Sequence, residues 1–145
     1  METKDLIANA QILVKAPVEK VWDALVNPDT IKKYMFGTTV TSDFKEGSTI
    51  TWTGEWNGKA YEDKGKITKI KPMTQLQYTH FSPLTGAPDS PENYHLVTVK
   101  LTPKNGSTSV LLSQDNNAND EARQHSEKNW TMMLSSLKKL LEGSN

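Results

Sequence analysis

The chain has 145 residues, with 17 Lys or Arg balanced by 17 Asp or Glu, so its formal net charge is zero. Nucleic-acid binding draws on a basic surplus to neutralise phosphates, and there is none here. Without a cysteine, disulfides, thiolate catalysis and Cys-based zinc or iron–sulfur sites are excluded. A chain of this length buries roughly 68–70% of its unfolded surface, enough for one domain over 1–145 with its own core.

Residues 6–16 read as the first strand. Leu6, Ala8, Ala10, Ile12 and Val14 fall on one face; Asn9, Gln11 and Lys15 fall on the other, together with Ile7 and Leu13. Pro17 ends the strand and suits the first turn of a helix. Val18, Val21, Trp22, Leu25 and Val26 then recur at helical spacing, with Glu19 and Asp23 near the positive helix end. Asn27-Pro28 stops this helix. Asp29 or Thr30 is read as the cap of a second short helix carrying Ile31 and Tyr34.

Beyond Gly37 the pattern turns to strands. Residues 38–44 and 48–56 are rich in Thr, Val, Ile and Trp, with Glu46-Gly47 between them. Asn57-Gly58 is a strong hairpin signal, because both residues tolerate positive φ. It leads into a strand over 59–71 that Pro72 closes, and 75–81 forms the next. Residues 82–92 hold Pro83, Gly86, Pro88 and Pro91 and read as a loop, either plain surface or a rim beside a cavity. Residues 93–102 and 107–115 form a second hairpin around Lys104-Asn105-Gly106.

The last element is a helix from about Asn119 to Glu142, with Asn119 or Asp120 as N-cap and Gly143 as the stop. Trp130, Met133, Leu134, Leu137, Leu140 and Leu141 make one apolar stripe, while Lys128, Lys138 and Lys139 point to water. Only a sheet is large enough to cover such a stripe. The expectation is an α+β fold: a curved antiparallel sheet of about six to seven strands wrapped around the C-terminal helix, with two short helices after the first strand. Gly54 and Gly65 are candidate points of curvature.

The run Ala16-Pro17-Val18-Glu19-Lys20-Val21-Trp22-Asp23-Ala24-Leu25-Val26-Asn27-Pro28 resembles the opening motif of the START-like, helix-grip superfamily (SRPBCC), the birch-pollen-allergen-like fold. The ending Asn129-Trp130 through Leu134, Leu137-Lys138 and Leu141-Glu142 resembles one branch of it, the family named for the activator of heat-shock protein 90 ATPase, C-terminal domain. Phe44-Lys45-Glu46-Gly47-Ser48, Gly65-Lys66-Ile67, Ile70-Lys71-Pro72, Leu76-Gln77-Tyr78-Thr79 and the strand Thr108 to Gln114 are similar to further segments of that branch, in the same order. Asn129 stands where the family commonly has Gly, and Tyr34-Met35 where a Trp is common.

The resemblance implies an elongated cavity between sheet and terminal helix. Its expected lining is Trp52, Trp56, Tyr78, His80, Phe81, Trp130 and Met133, with Ser126 and Asn129 leaving room under the first turns of the helix. The alternative is that these aromatics simply fill the core. No H-x-H or H-E-x-x-H spacing joins His80 and His95, so no metal is expected, and no cofactor motif occurs. His125 is expected to be exposed. Glu55, Glu62 and Asp63 flank a hairpin turn, where solvated charge is the ordinary outcome.

Three functions compete. The first is non-catalytic binding of a hydrophobic or amphipathic small molecule, with a link to stress implied by the resemblance. The second is partnership with a heat-shock protein 90-type chaperone, although the activator that names the family has an additional N-terminal domain that engages the chaperone and none is read here. The third is an enzyme of the polyketide cyclase/aromatase type, which would need a polar constellation inside the cavity. The charged start Met1-Glu2-Thr3-Lys4-Asp5 is followed by no apolar run of signal-peptide or membrane-span length. The expectation is therefore a cytoplasmic protein, monomeric or weakly dimeric through its sheet edges.

Overall fold

The computed structural model describes residues 6–35, 37–56, 58–82, 88–117 and 119–142. Strand β1 (Ala8–Val14) is followed by helices α1 (Val18–Val26) and α2 (Pro28–Tyr34), then β2 (Thr39–Ser42), β3 (Thr49–Trp56), β4 (Lys59–Lys71) and β5 (Gln75–His80). A 3-10 turn (Pro91–Asn93) precedes β6 (His95–Lys104), β7 (Ser107–Gln114) and helix α3 (Asp120–Glu142). The strands form one curved antiparallel sheet in the order β1-β7-β6-β5-β4-β3-β2. Among the described residues, no helix is long and apolar enough to cross a membrane.

Local chemistry explains the helix starts. Pro17 stands at the N-cap of α1 in extended conformation, as its fixed φ favours. The cap of α2 is Asn27, not Asp29 or Thr30: its side chain accepts a hydrogen bond from the Asp29 N–H, and Pro28 fills the first helical position. Proline loses nothing there, since that N–H has no helical partner. Asn119 caps α3 by accepting from the Ala122 N–H at 2.8 Å. The tight turn between β6 and β7 places Asn105 at φ 51° and Gly106 at φ 87°, the positive values a two-residue hairpin needs. In the β3–β4 hairpin, Asn57 lies outside the described residues; so do residues 83–87 of the expected loop and Gly143.

Helix α3 packs on the concave face. Leu134 and Leu137 are fully buried with Val14, Ile67, Val97, Val110 and Leu112, and Trp22, Leu25, Ile31 and Tyr34 close one end of the same core. The Tyr34 hydroxyl donates to the Ala24 carbonyl at 2.8 Å, tying α2 to α1, and burial keeps that phenol protonated far above its ordinary range. Two features bend the sheet. The β4–β5 register breaks between Ile67 and Lys69. At Gly65 the β5 backbone comes so close that a Cβ would lie 1.7 Å from the Thr79 carbonyl oxygen.

The outer edge of β1 is capped by α3. Glu127 accepts from the Asn9 N–H, Glu142 accepts from the Lys15 N–H at 2.6 Å, and Lys138 donates to the Leu13 carbonyl at 2.8 Å. Lys138 thus folds back onto the strand instead of pointing only to water. These side chains occupy backbone groups that would otherwise template another strand.

Candidate functional site

The lower half of α3 is packed, but the sheet and helix separate toward its N-terminal half. There a cavity of about 300 Å³ is lined by Met35, Thr38, Trp52, Tyr61, Asp63, Tyr78, His80 and Trp130. It continues beneath α3 into a space of about 350 Å³ that Gln114, Ser126, Asn129 and Met133 also line. Deeper in, between Leu25, Ile50, Leu76, Val99 and Leu112, only about 30 Å³ remains. The helix explains the division: Leu134 and Leu137 fill their half, while Ser126 and Asn129 are short and polar.

Strand alternation sets the walls. On β5, Tyr78 and His80 point inward and Thr79 outward. On β3, Trp52 points inward between them: its ring centroid lies 5.2 Å from that of Tyr78 and 4.9 Å from that of His80. On β4, Tyr61, Asp63, Gly65 and Ile67 share the inward face. The Tyr61 and Thr38 hydroxyls lie 2.8 Å apart. Burial raises the Tyr78 phenol well above its ordinary value, so it stays protonated.

Asp63 is not solvated as expected for a charge beside a hairpin. Its Oδ2 lies 2.9 Å from His80 Nε2, and its side chain is only 16% exposed. With the carboxylate accepting, the proton sits on Nε2. The other oxygen, Oδ1, is shielded from solvent and has no hydrogen-bond partner among the described residues. The His95 ring stacks 6.3 Å from that of His80, and its Nδ1 lies 2.9 Å from the Asp115 carbonyl. Among the described residues, no group of three His, Cys, Asp or Glu could hold a metal ion.

A second polar group steadies the helix side of the cavity. Trp130 Nε1 donates to Gln114 Oε1 at 2.5 Å. Asn117, 2% exposed, donates to the Leu6 and Gln114 carbonyls and accepts from Ser126 Oγ at 2.9 Å. Ser126 therefore faces a buried asparagine as well as the cavity.

The structure brings Trp52, Tyr78, His80, Ser126, Asn129, Trp130 and Met133 together around one space. Phe81 does not join them. It follows His80 on the opposite strand face and stacks on Tyr94, with centroids 5.2 Å apart. The described part of the 82–92 loop lies on that outer face too, where Asp89 pairs with Lys64 and accepts from the Tyr94 hydroxyl. Trp56 belongs to β3, but its side chain falls outside the described residues. His125 is exposed. Met35, Thr38, Tyr61, Asp63 and Gln114 also line this space, outside the expected lining set. For Tyr61 and Asp63 the signal was present: counting by two from the apolar Ile67 puts both on the inward face.

Residues 15–142 match the family model described as activator of Hsp90 ATPase homolog 1-like protein. The chain is similar to the solution structure of ChR145 from Cytophaga hutchinsonii, at 59% identity over 99% of this chain and 97% of that one, with a TM-score of 0.86. It is similar to the Aha1 dimer from Colwellia psychrerythraea at 27% identity, covering 96% and 98% of the two chains, with a TM-score of 0.73. DynU16, from the dynemicin biosynthetic locus, shares the fold with a TM-score of 0.79 at 16% identity, over 96% of this chain and 48% of that one. Among curated proteins, none matches the chain. The match over 15–142, together with the seven-stranded sheet curved around its terminal helix, places the chain in the activator of Hsp90 ATPase homolog 1-like family of the START-like helix-grip superfamily.

Proposed function

We propose that the protein binds a hydrophobic or amphipathic small molecule, without a covalent step, in the cavity between the sheet and the N-terminal half of α3. One observation carries this reading. A space of about 300 Å³ is walled by Trp52, Tyr61, Tyr78, Trp130 and Met35, with few polar groups among them. Ligand sites have this makeup, roughly 300–1,000 Å³ of apolar and aromatic wall with a few fixed polar anchors. The test is a titration with a library of apolar aromatics, followed by the tryptophan indole N–H signals in NMR. Shifts at Trp52 and Trp130, with Trp22 on α1, outside the cavity lining, unmoved, are expected. Saturation of the library without a shift at either residue refutes the reading.

A second reading, an enzyme of the cyclase type, draws on the His80–Asp63 pair at the cavity wall. A histidine held by a carboxylate is suited to moving a proton. Turnover of any bound ring compound, lost in His80→Gln while binding is kept, would favour it over simple binding. Partnership with an Hsp90-type chaperone rests on family membership alone, and stimulation of the chaperone's ATPase by the purified chain is its measurement.

A further inference from the structure

The polar groups around the cavity are mostly occupied by one another. The Thr38 and Tyr61 hydroxyls are bonded to each other. The Trp130 N–H is held by Gln114, and Ser126 Oγ by Asn117. Asp63 differs. Its Oδ2 holds His80, while Oδ1 has no partner among the described residues and is shielded from water. An unpaired buried carboxylate oxygen is costly. It accepts hydrogen bonds only and cannot be relieved by a second anion.

Building on the binding reading above, we infer that Asp63 is the polar anchor of the cavity and that the ligand is a neutral aromatic molecule carrying a hydroxyl donor for Asp63 Oδ1. The walls favour an aromatic body. Trp52, Tyr78 and Trp130 present ring surface, and Met35 adds a soft, adaptable contact. The charge disfavours an anionic ligand. A carboxylate headgroup would meet Asp63 as a like charge, with no Lys or Arg among the lining residues to offset it. Access needs little motion. The Asp63 side chain keeps 16% exposure, and rotation about χ2 of an aspartate is soft and two-fold.

The test titrates the full chain with three two-ring probes of one shape: naphthalene, 2-naphthol and 2-naphthoate. The readout is the Trp52 and Trp130 indole shifts. 2-Naphthol is expected to bind roughly tenfold or more tighter than naphthalene, the worth of a hydrogen bond to a charged acceptor, and 2-naphthoate weakest. Asp63→Ala should level naphthol and naphthalene. Equal binding of naphthol and naphthalene to the unmodified chain overturns the anchor, yet leaves a binding cavity. Tightest binding by 2-naphthoate overturns it as well. A preference that survives in Asp63→Ala assigns the donor contact to another residue. If no probe moves either indole, the binding reading falls, and the anchor with it. The wild-type comparison decides the matter even if the variant fails to fold.

Discussion

Replacing Gly65 with Ala adds one methyl where β5 passes closest to β4. The new Cβ would lie 1.7 Å from the Thr79 carbonyl oxygen, 2.6 Å from the Thr79 carbonyl carbon and 3.3 Å from the His80 nitrogen. A carbon–oxygen contact normally stays beyond about 3.3 Å, so the overlap is about 1.6 Å. The obstructing atoms are backbone, and no side-chain rotation clears them. Either the two strands part or the β4–β5 register yields, and His80 moves with Thr79. Overpacking costs about 1–3 kcal/mol, and more when backbone must shift. Against this stands the gain of about 0.5–1 kcal/mol when alanine replaces glycine in a strand. Because backbone must shift, the upper end applies: about 3 kcal/mol less about 1 leaves a net loss of about 2 kcal/mol, a melting point lower by roughly 4–8 °C. Thermal and urea melts followed by far-UV circular dichroism measure it. The sign is decisive: if Gly65→Ala is as stable as the parent or more so, the close approach at Thr79 is wrong. Gly54→Ala is the contrast. There the nearest atoms are the Tyr61 hydroxyl and ring, at 2.7 and 3.0 Å. That side chain can swing aside, so the expected cost stays within about 1 kcal/mol, while the Thr38–Tyr61 bond at the cavity wall is lost.

Leu137→Ala, at a fully buried position under α3, should cost about 2–5 kcal/mol in urea unfolding; a loss under 1 kcal/mol would mean that α3 does not seal the core there. Trp130→Phe removes the N–H held by Gln114 at 2.5 Å and leaves a buried amide oxygen unpaired, for a loss of about 1–3 kcal/mol; unchanged stability would show that this bond carries little. Lys138, and then the Lys15 N–H, hold the Glu142 carboxyl below its ordinary value of 4.5. The folded pKa is depressed, so this contribution is present above about pH 4.5 and is lost as pH falls through the folded value. The Lys15 amide should therefore exchange with solvent faster, relative to core amides, as pH falls below 4.5, and less so in Glu142→Gln. Protection that stays constant between pH 6 and pH 3 contradicts the edge cap.

Element positions followed from local patterns. The Pro17 start, the Asn27-Pro28 break, the period of two along 59–71 and the stripe from Trp130 to Leu141 are each governed by neighbours a few residues away. Each appears in the structure within a residue or two. The cap of α2 lies two or three residues before the expected Asp29 or Thr30, because Asn27 both ends one helix and starts the next, and a single-residue pattern cannot show both roles. The candidate site was less legible. Trp52, Tyr78, His80 and Trp130 stood out as large side chains on inward positions. In sequence Asp63 reads as a turn charge, since its nearness to Asn57-Gly58 outweighs its phase with Ile67. Met35 and Thr38 carry no pattern, because they lie in the short link between α2 and β2.

The amino-acid sequence alone determines the order of elements, the face each one buries and the family to which the chain belongs. These rest on local periodicity and on motifs that recur in sequence order. Which residues meet across the cavity depends on contacts between strands far apart in the chain. His80 reaches Asp63 only because β4 and β5 are antiparallel and bend together beside Gly65. Trp130 reaches Gln114 only because α3 lies back across the sheet. Long-range register and the bend at Gly65 are cooperative properties of the packed sheet, and no window of sequence contains them.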